Sequence, residues 1–148
     1  MKVTQLNSNY AQELTNLTMR SKAIWGYSSS QLLEWKDDLT LTEFYFKEFD
    51  VFGVVKHDRI LGYYSFQYQQ HQCYLDMVFV EPRDFKKGIG KILMEDFHAR
   101  IKTTNLKSIY LYADPNAEPF YLKMGYKTTG QKPSSIKDRT LPIMTFEL

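Results

Sequence analysis

The sequence is short of the residues that build covalent or metal-held frameworks. One cysteine, Cys73, stands in 148 residues, which excludes an internal disulfide and a cysteine-based zinc cluster. Because it opens a strand-like run, that thiol reads as a small core hydrophobe rather than a nucleophile. His57, His71 and His98 lie too far apart for metal-ligand spacing and read as turn or surface residues, so no metal is expected. Neither sign of charge dominates: a formal net charge of +2 gives no global pull towards nucleic acid or an acidic membrane. No apolar run approaches the roughly 20 residues of a membrane span. Met1 to Tyr10 has neither an apolar signal core nor an Arg-rich amphipathic pattern. The expectation is a cytoplasmic protein with no nucleic-acid and no membrane partner. Repeats, low-complexity tracts and linkers are also missing, so residues 1–148 read as one domain. A chain of this length buries roughly two-thirds of its unfolded surface.

What is present begins with aromatics, 16% of the chain, which promise a large packing contribution. Val3 to Leu6 reads as a short edge strand, with Asn7 or Ser8 to cap a helix that runs to about Ile24. Trp25-Gly26-Tyr27 breaks that helix, and Ser28-Ser29-Ser30 caps a second one carrying Leu32, Leu33 and Trp35. Thr42 to Phe49 fits helix or strand. Val51 to Val55, Ile60 to Tyr68 and Tyr74 to Val80 form an antiparallel meander joined by His57-Asp58-Arg59 and Gln69 to Gln72. Alternation in the last of these strands puts Leu75, Met77 and Phe79 on one face and Asp76, Val78 and Val80 on the other. Ile89, Leu93, Phe97 and Ile101 recur at four-residue steps, the apolar stripe of a helix. Ser108 to Ala113 is the next strand and Glu118 to Met124 a short helix capped by Gly125. Tyr126 to Thr129 and Leu141 to Glu147 are closing strands, with Gly130 to Thr140 a loop between them. Strands on both sides of a strand–helix–strand unit imply an α/β architecture with a mixed sheet.

The stretch Phe85-Lys86-Lys87-Gly88-Ile89-Gly90-Lys91 carries the most chemistry. Two glycines so spaced between a strand and a helix let a turn present its N–H groups to a polyphosphate at the helix N-terminus. A dinucleotide fingerprint needs a third glycine where Leu93 stands. A phosphate loop of the Walker type needs glycine at Phe85 and Ser or Thr at Ile92. Arg83, Lys86, Lys87 and Lys91 crowd the turn, either as phosphate partners or as a solvated helix start.

At this point the sequence resembles the GNAT family of acetyl-CoA-dependent N-acetyltransferases. Their signature of Gln or Arg, two residues, Gly, one residue, and Gly or Ala is met by Phe85 to Gly90, with Phe85 replacing the usual Gln or Arg. A second segment, Asn116-Ala117-Glu118-Pro119-Phe120-Tyr121-Leu122-Lys123-Met124-Gly125-Tyr126, is similar to the family's Asn-Ala-x-x-Phe-Tyr-x-Lys-x-Gly-Phe. The resemblance implies the acyl-CoA N-acyltransferase fold: an α+β mixed, mostly antiparallel sheet of about seven strands flanked by about four helices. It implies acetyl-CoA as cosubstrate, with Lys86, Lys87, Gly88, Ile89, Gly90 and Lys91 around the pyrophosphate. Val78, Phe79 and Val80 would lie along the pantetheine arm, which joins the strand edge, and Asn116, Phe120 and Lys123 would complete the cofactor site. Phe120 fits cofactor contact and plain packing equally.

The resembling family uses a backbone N–H of its fourth strand, here near Val80, to polarise the thioester carbonyl, and Tyr121 would protonate the departing thiolate. A phenol of pKa about 10 keeps its proton at neutral pH, and a thiolate whose acid has a pKa of about 8.5 can take it. Asp76 is the candidate base for the amine; a strand-edge ion pair, another residue or a water chain are the alternatives. Trp25, Tyr27 and Trp35 are either pocket-lining or core aromatics, and Asp37, Asp38 and Glu43 either attract a cationic amine or are simply solvated. The acceptor is then a small-molecule or peptide amine, attacked in a direct ternary complex, by a monomer or homodimer. Two other readings stay open: a non-catalytic acyl-CoA-binding or regulatory module, and a plain nucleotide-binding protein.

Overall fold

The structure, a computed structural model, describes residues 1–148. Strand β1 (Lys2–Gln5) leads to Asn7, whose side chain accepts the Asn9 amide and starts the turn into helix α1 (Ala11–Ala23). Gly26, at φ 84°, takes a left-handed conformation that ends this region without steric cost. Ser28 then caps α2 (Ser29–Glu34), and α3 (Lys36–Leu39) follows directly. The ambiguity over Thr42 to Phe49 resolves as helix α4 (Glu43–Glu48), because the Thr42 hydroxyl accepts the Tyr45 amide at 3.1 Å.

Strands β2 (Asp50–Lys56), β3 (Arg59–Tyr68) and β4 (Gln72–Val80) form the expected meander. Helix α5 (Ile89–Ile101), β5 (Ser108–Tyr112), α6 (Glu118–Lys123), β6 (Lys127–Pro133) and β7 (Thr140–Glu147) complete the chain. The sheet has seven strands in the order β1-β2-β3-β4-β5-β7-β6, and every pairing is antiparallel except β4 with β5. The mixed, mostly antiparallel sheet of seven strands that the resemblance implies is therefore present. The expected four or so helices become six α-helical segments, because residues 29–48 divide into three short ones, broken at Trp35 and at Thr40 to Thr42.

The apolar stripe of α5 lies against one face of the sheet: Leu93, Phe97 and Ile101 are wholly buried among Cys73, Leu75, Tyr64 and Phe66. Helices α1 and α4 cover the other face, where Leu14 and Leu17 meet Tyr63, Met77 and Leu41. Cys73 sits inside the first layer, and burial pushes its thiol up to about 12, far from the reactive range.

Three local expectations need correction. The alternation assumed along β4 is broken by a bulge: Ser65 pairs with Met77 and Phe66 with Leu75, leaving Asp76 as the extra residue. Leu75 consequently packs on the α5 face and Met77 on the α1 face, and the Asp76 side chain turns towards α4 rather than sharing a face with Val78 and Val80. His98 is buried, not superficial; its Nε2 meets the Tyr126 hydroxyl at 2.8 Å and its ring stacks on Phe146 at 4.5 Å. The segment expected to be a loop from Gly130 is half strand, since β6 continues to Pro133 along β7.

Candidate active site

Parallel pairing between β4 and β5 stops after Tyr74 opposite Tyr110. Beyond that point the strands diverge around a cleft of about 550 Å³. The Met77 amide donates to Ser65 Oγ at 3.1 Å and the Glu81 amide to the Leu61 carbonyl at 2.8 Å, both towards β3. Alternation then turns the N–H and C=O groups of Val78 and Val80 to the open side, an unpaired edge that an extended ligand can join. The bulge at Asp76 sits where the divergence begins.

At the far end of β4 the chain is braced before it turns into α5. Arg20 holds the buried Glu81 carboxylate at 2.6 Å, and Arg59 and Lys87 hold the buried Asp84 at 3.0 and 3.4 Å. Burial opposes the charge on Asp84, but its partners prevail and keep its carboxyl below the usual carboxylate range. Lys86 and Gly88, at φ 64° and 79°, are both left-handed, so the chain folds back on itself before the helix. The consequence is a run of free donors: no amide from Lys86 to Lys91 reaches a backbone carbonyl, and the first helical bond comes from Ile92 to Gly88 at 3.1 Å. Six adjacent N–H groups at a helix N-terminus are thereby free to meet an anion, which the helix dipole would favour further.

Tyr121, carried by α6, reaches the cleft from the β5 side. It is 8% exposed and its hydroxyl makes no hydrogen bond within the protein. Burial alone raises its phenol above the ordinary tyrosine value. Next to it the Phe120 ring lies over Gly90, where a Cβ would come within 3.1 Å of it; the small residue admits the ring. Asp76, on the opposite wall, accepts hydrogen bonds from the Tyr45 and Tyr74 hydroxyls at 2.7 and 2.8 Å and has no cationic partner.

The cleft thus gathers Asp76, Val78, Phe79, Val80, Lys86, Gly90, Asn116, Phe120 and Tyr121 from the residues singled out in the sequence. The side chains of four others lie elsewhere. Lys87 turns back to Asp84, Ile89 is buried in the α5 layer, Lys91 faces Glu95 at 3.8 Å on the helix surface, and Lys123 is exposed. The amides of Lys87, Ile89 and Lys91, with that of Gly88, still belong to the free run.

The profile of the acetyltransferase (GNAT) domain matches residues 26–139. This chain belongs to the GNAT acetyltransferase family. A search of curated protein sequences finds no match. Among solved structures, the chain superposes on the PaiA N-acetyltransferase of Thermoplasma acidophilum in complex with coenzyme A. The TM-score is 0.82 at 15% identity, covering 99% of this chain and 98% of that one. A GCN5-related N-acetyltransferase from Rhodopseudomonas palustris gives 0.80 at 19% identity, with 99% and 95% covered. An aminoglycoside 6′-N-acetyltransferase complexed with coenzyme A gives 0.74 at 19% identity, with 99% and 97% covered. These likenesses establish the fold. No helix of this acetyltransferase is long and apolar enough to cross a membrane.

One cluster in the acetyltransferase escaped the sequence reading. Asp114 Oδ2 accepts from Lys22 Nζ at 2.6 Å and from the Tyr27 hydroxyl at 2.7 Å, while Oδ1 accepts the Asn116 amide and its Nδ2. Arg139, from the β6–β7 connection, donates to the Tyr27 hydroxyl at 2.6 Å, and Trp35 packs edge-on against the Tyr27 ring. Burial disfavours the Asp114 charge, yet the Lys22 bond, its charge and the Tyr27 hydroxyl together hold the carboxyl below its ordinary value. The one sequence signal was Asp114 preceding Pro115 and Asn116, the pattern of a side-chain cap on a turn.

Proposed function

We propose that the chain, as a single domain over residues 1–148, moves an acetyl group from acetyl-CoA to a primary amine of a small molecule or peptide in a direct ternary complex. The observation that carries the reading is the run of free amides from Lys86 to Lys91, of which Lys86 and Gly90 line the same cleft as Tyr121 with its unpartnered hydroxyl. Two of the structural relatives are complexes with coenzyme A, which supports the choice of cosubstrate. Acetyl-CoA supplies an activated thioester; the chain's residues bind, orient and move protons around it.

The amides of residues 86–91 hold the diphosphate, with Lys86 adding charge in place of the side chain that Phe85 lacks. The free groups of Val78 and Val80 align the pantetheine arm, beside Phe79, Asn116 and Phe120. The Val80 amide polarises the carbonyl, and a preorganised donor of that kind is worth about 3–4 kcal/mol in the transition state. Asp76, directly or through water, takes the proton from the incoming amine. Tyr121 gives its proton to the departing sulfur; burial keeps that proton in place until thiolate charge develops beside it.

Titration calorimetry of the folded protein with coenzyme A tests the cradle. Saturable heat at a one-to-one ratio is expected, and its absence would overturn the reading.

A further inference from the structure

The cleft has two ends on opposite faces of the sheet. The α5 and α6 side carries the amide run, Lys86, Phe120 and Ala117; the α1 and α3 side is lined by Ser21, Lys22, Trp25, Asp38 and Leu39, next to Asp76. The charges do not balance between them. The cations lining the cleft are Lys22 and Lys86, and the anions are Asp38, Asp76 and Asp114. Lys22 is spent on Asp114 at 2.6 Å, both groups nearly buried. Lys86 belongs to the cofactor end. Asp76 is held only by neutral tyrosine hydroxyls, and Asp38 is exposed and pairs with no cation. Two carboxylates thus face the acceptor end without a counter-charge. Trp25, 46% exposed, adds an aromatic surface on the same wall. A separate observation marks the cleft as a ligand site: Tyr121, 8% exposed and part of the same lining, has a hydroxyl with no partner in the protein.

We propose, resting on the acetyltransferase reading, that the acceptor is a dicationic aliphatic amine. One nitrogen docks at Asp76 for reaction, and the second ammonium is held by Asp38 against the Trp25 ring. Docking strips water from both carboxylates, and a monocation would leave one of them desolvated without a partner. An alkylammonium satisfies Asp38 and also gains from the face of Trp25. In the reaction one N–C bond replaces the C–S bond of the thioester. The amine loses one proton to Asp76 and a second on collapse of the adduct. The sulfur leaves as a thiol with the Tyr121 proton, which the second amine proton replaces, so one proton is released to solvent.

The test compares α,ω-diaminoalkanes with n-alkylamines of equal chain length, following acetyl-CoA-dependent thiol release and, in parallel, calorimetric binding to the CoA-loaded protein. Diamines are expected to show kcat/KM and affinity higher by about tenfold or more, equivalent to roughly 1.4 kcal/mol. Asp38→Asn should collapse that ratio, and Asp38→Glu should restore part of it. Equal values for the two series, or a ratio untouched by Asp38→Asn in a protein of unchanged unfolding transition, overturn the proposal and leave the transfer reading standing. Dication-selective binding without turnover has the reverse meaning: the acceptor class holds and the transfer reading falls.

Discussion

Tyr121 and Gly88 belong to the candidate site for different physical reasons. Tyr121 is positioned by packing: its ring lies against Tyr126 and Phe120, and the residue lines the cleft. Tyr121→Phe removes one oxygen and preserves that packing. It should lower kcat by about 10²–10⁴-fold with cofactor affinity nearly unchanged, as expected for loss of a general acid. An unaltered kcat in steady-state assays removes the residue from the mechanism. Gly88 matters through its backbone. A Cβ there would touch nothing within 4 Å, so the problem with substitution is not crowding but the left-handed φ of 79°. Gly88→Val asks a β-branched residue to hold that conformation at a cost of about 1–2 kcal/mol or more. The turn should relax and the amides of residues 86–91 lose their convergence, weakening coenzyme A in calorimetry while the melting transition stays cooperative. Unchanged affinity would show that the cradle does not depend on this turn.

Elements were legible in the sequence where one periodicity ruled and where contacts were local. The α5 stripe of Leu93, Phe97 and Ile101 sits in the core as its four-residue recurrence implies, and the segment around Phe120-Tyr121 does bring its tyrosine to the cleft. The bulge was not legible, because an inserted residue leaves no mark in an alternating strand; only the register with β3 exposes Asp76 as the extra residue. The extent of β6 was hidden for a different reason. As an edge strand it is polar and ends in Lys132 and Pro133, the features by which edges avoid further pairing and by which they also cease to look like strands. The Asp114 cluster joins α1, the α1–α2 connection, the turn before α6 and the β6–β7 connection, so no local pattern contains it. Its centre is the Tyr27 hydroxyl, which donates to Asp114 while accepting from Arg139 and Asn116. Tyr27→Phe strips these links but leaves the Lys22 pair. It should destabilise the fold by about 1.5–3 kcal/mol, the usual worth of hydrogen bonds to charged groups. Urea titration should show an earlier midpoint with the slope unchanged, and an unmoved midpoint would mean that these elements are fastened elsewhere.

The whole molecule is tied together by groups that titrate differently when folded, so its stability should carry a two-step dependence on pH. His98 joins α5 to β7 and to Tyr126, and burial, followed by the charge of Lys102, lowers its pKa. The unfolded chain then binds this proton more readily than the folded one. Stability is complete above the unfolded value of about 6.5 and declines as pH falls below it, levelling off once the folded value is passed. Asp84 and Asp114 are also lowered, here by their cationic partners acting against burial. Their contribution is complete above the unfolded value of about 3.9 and is lost as pH falls through the depressed folded values. Thermal unfolding followed by circular dichroism should therefore show a plateau near neutrality, a shallow decline beginning at about pH 6.5, and a steeper one below about pH 4. His98→Asn removes the titrating ring and should erase the first decline while retaining the second. If the variant keeps both declines, the first belongs to another group; if the parent protein shows only the acid limb, the folded histidine charges as freely as the unfolded one.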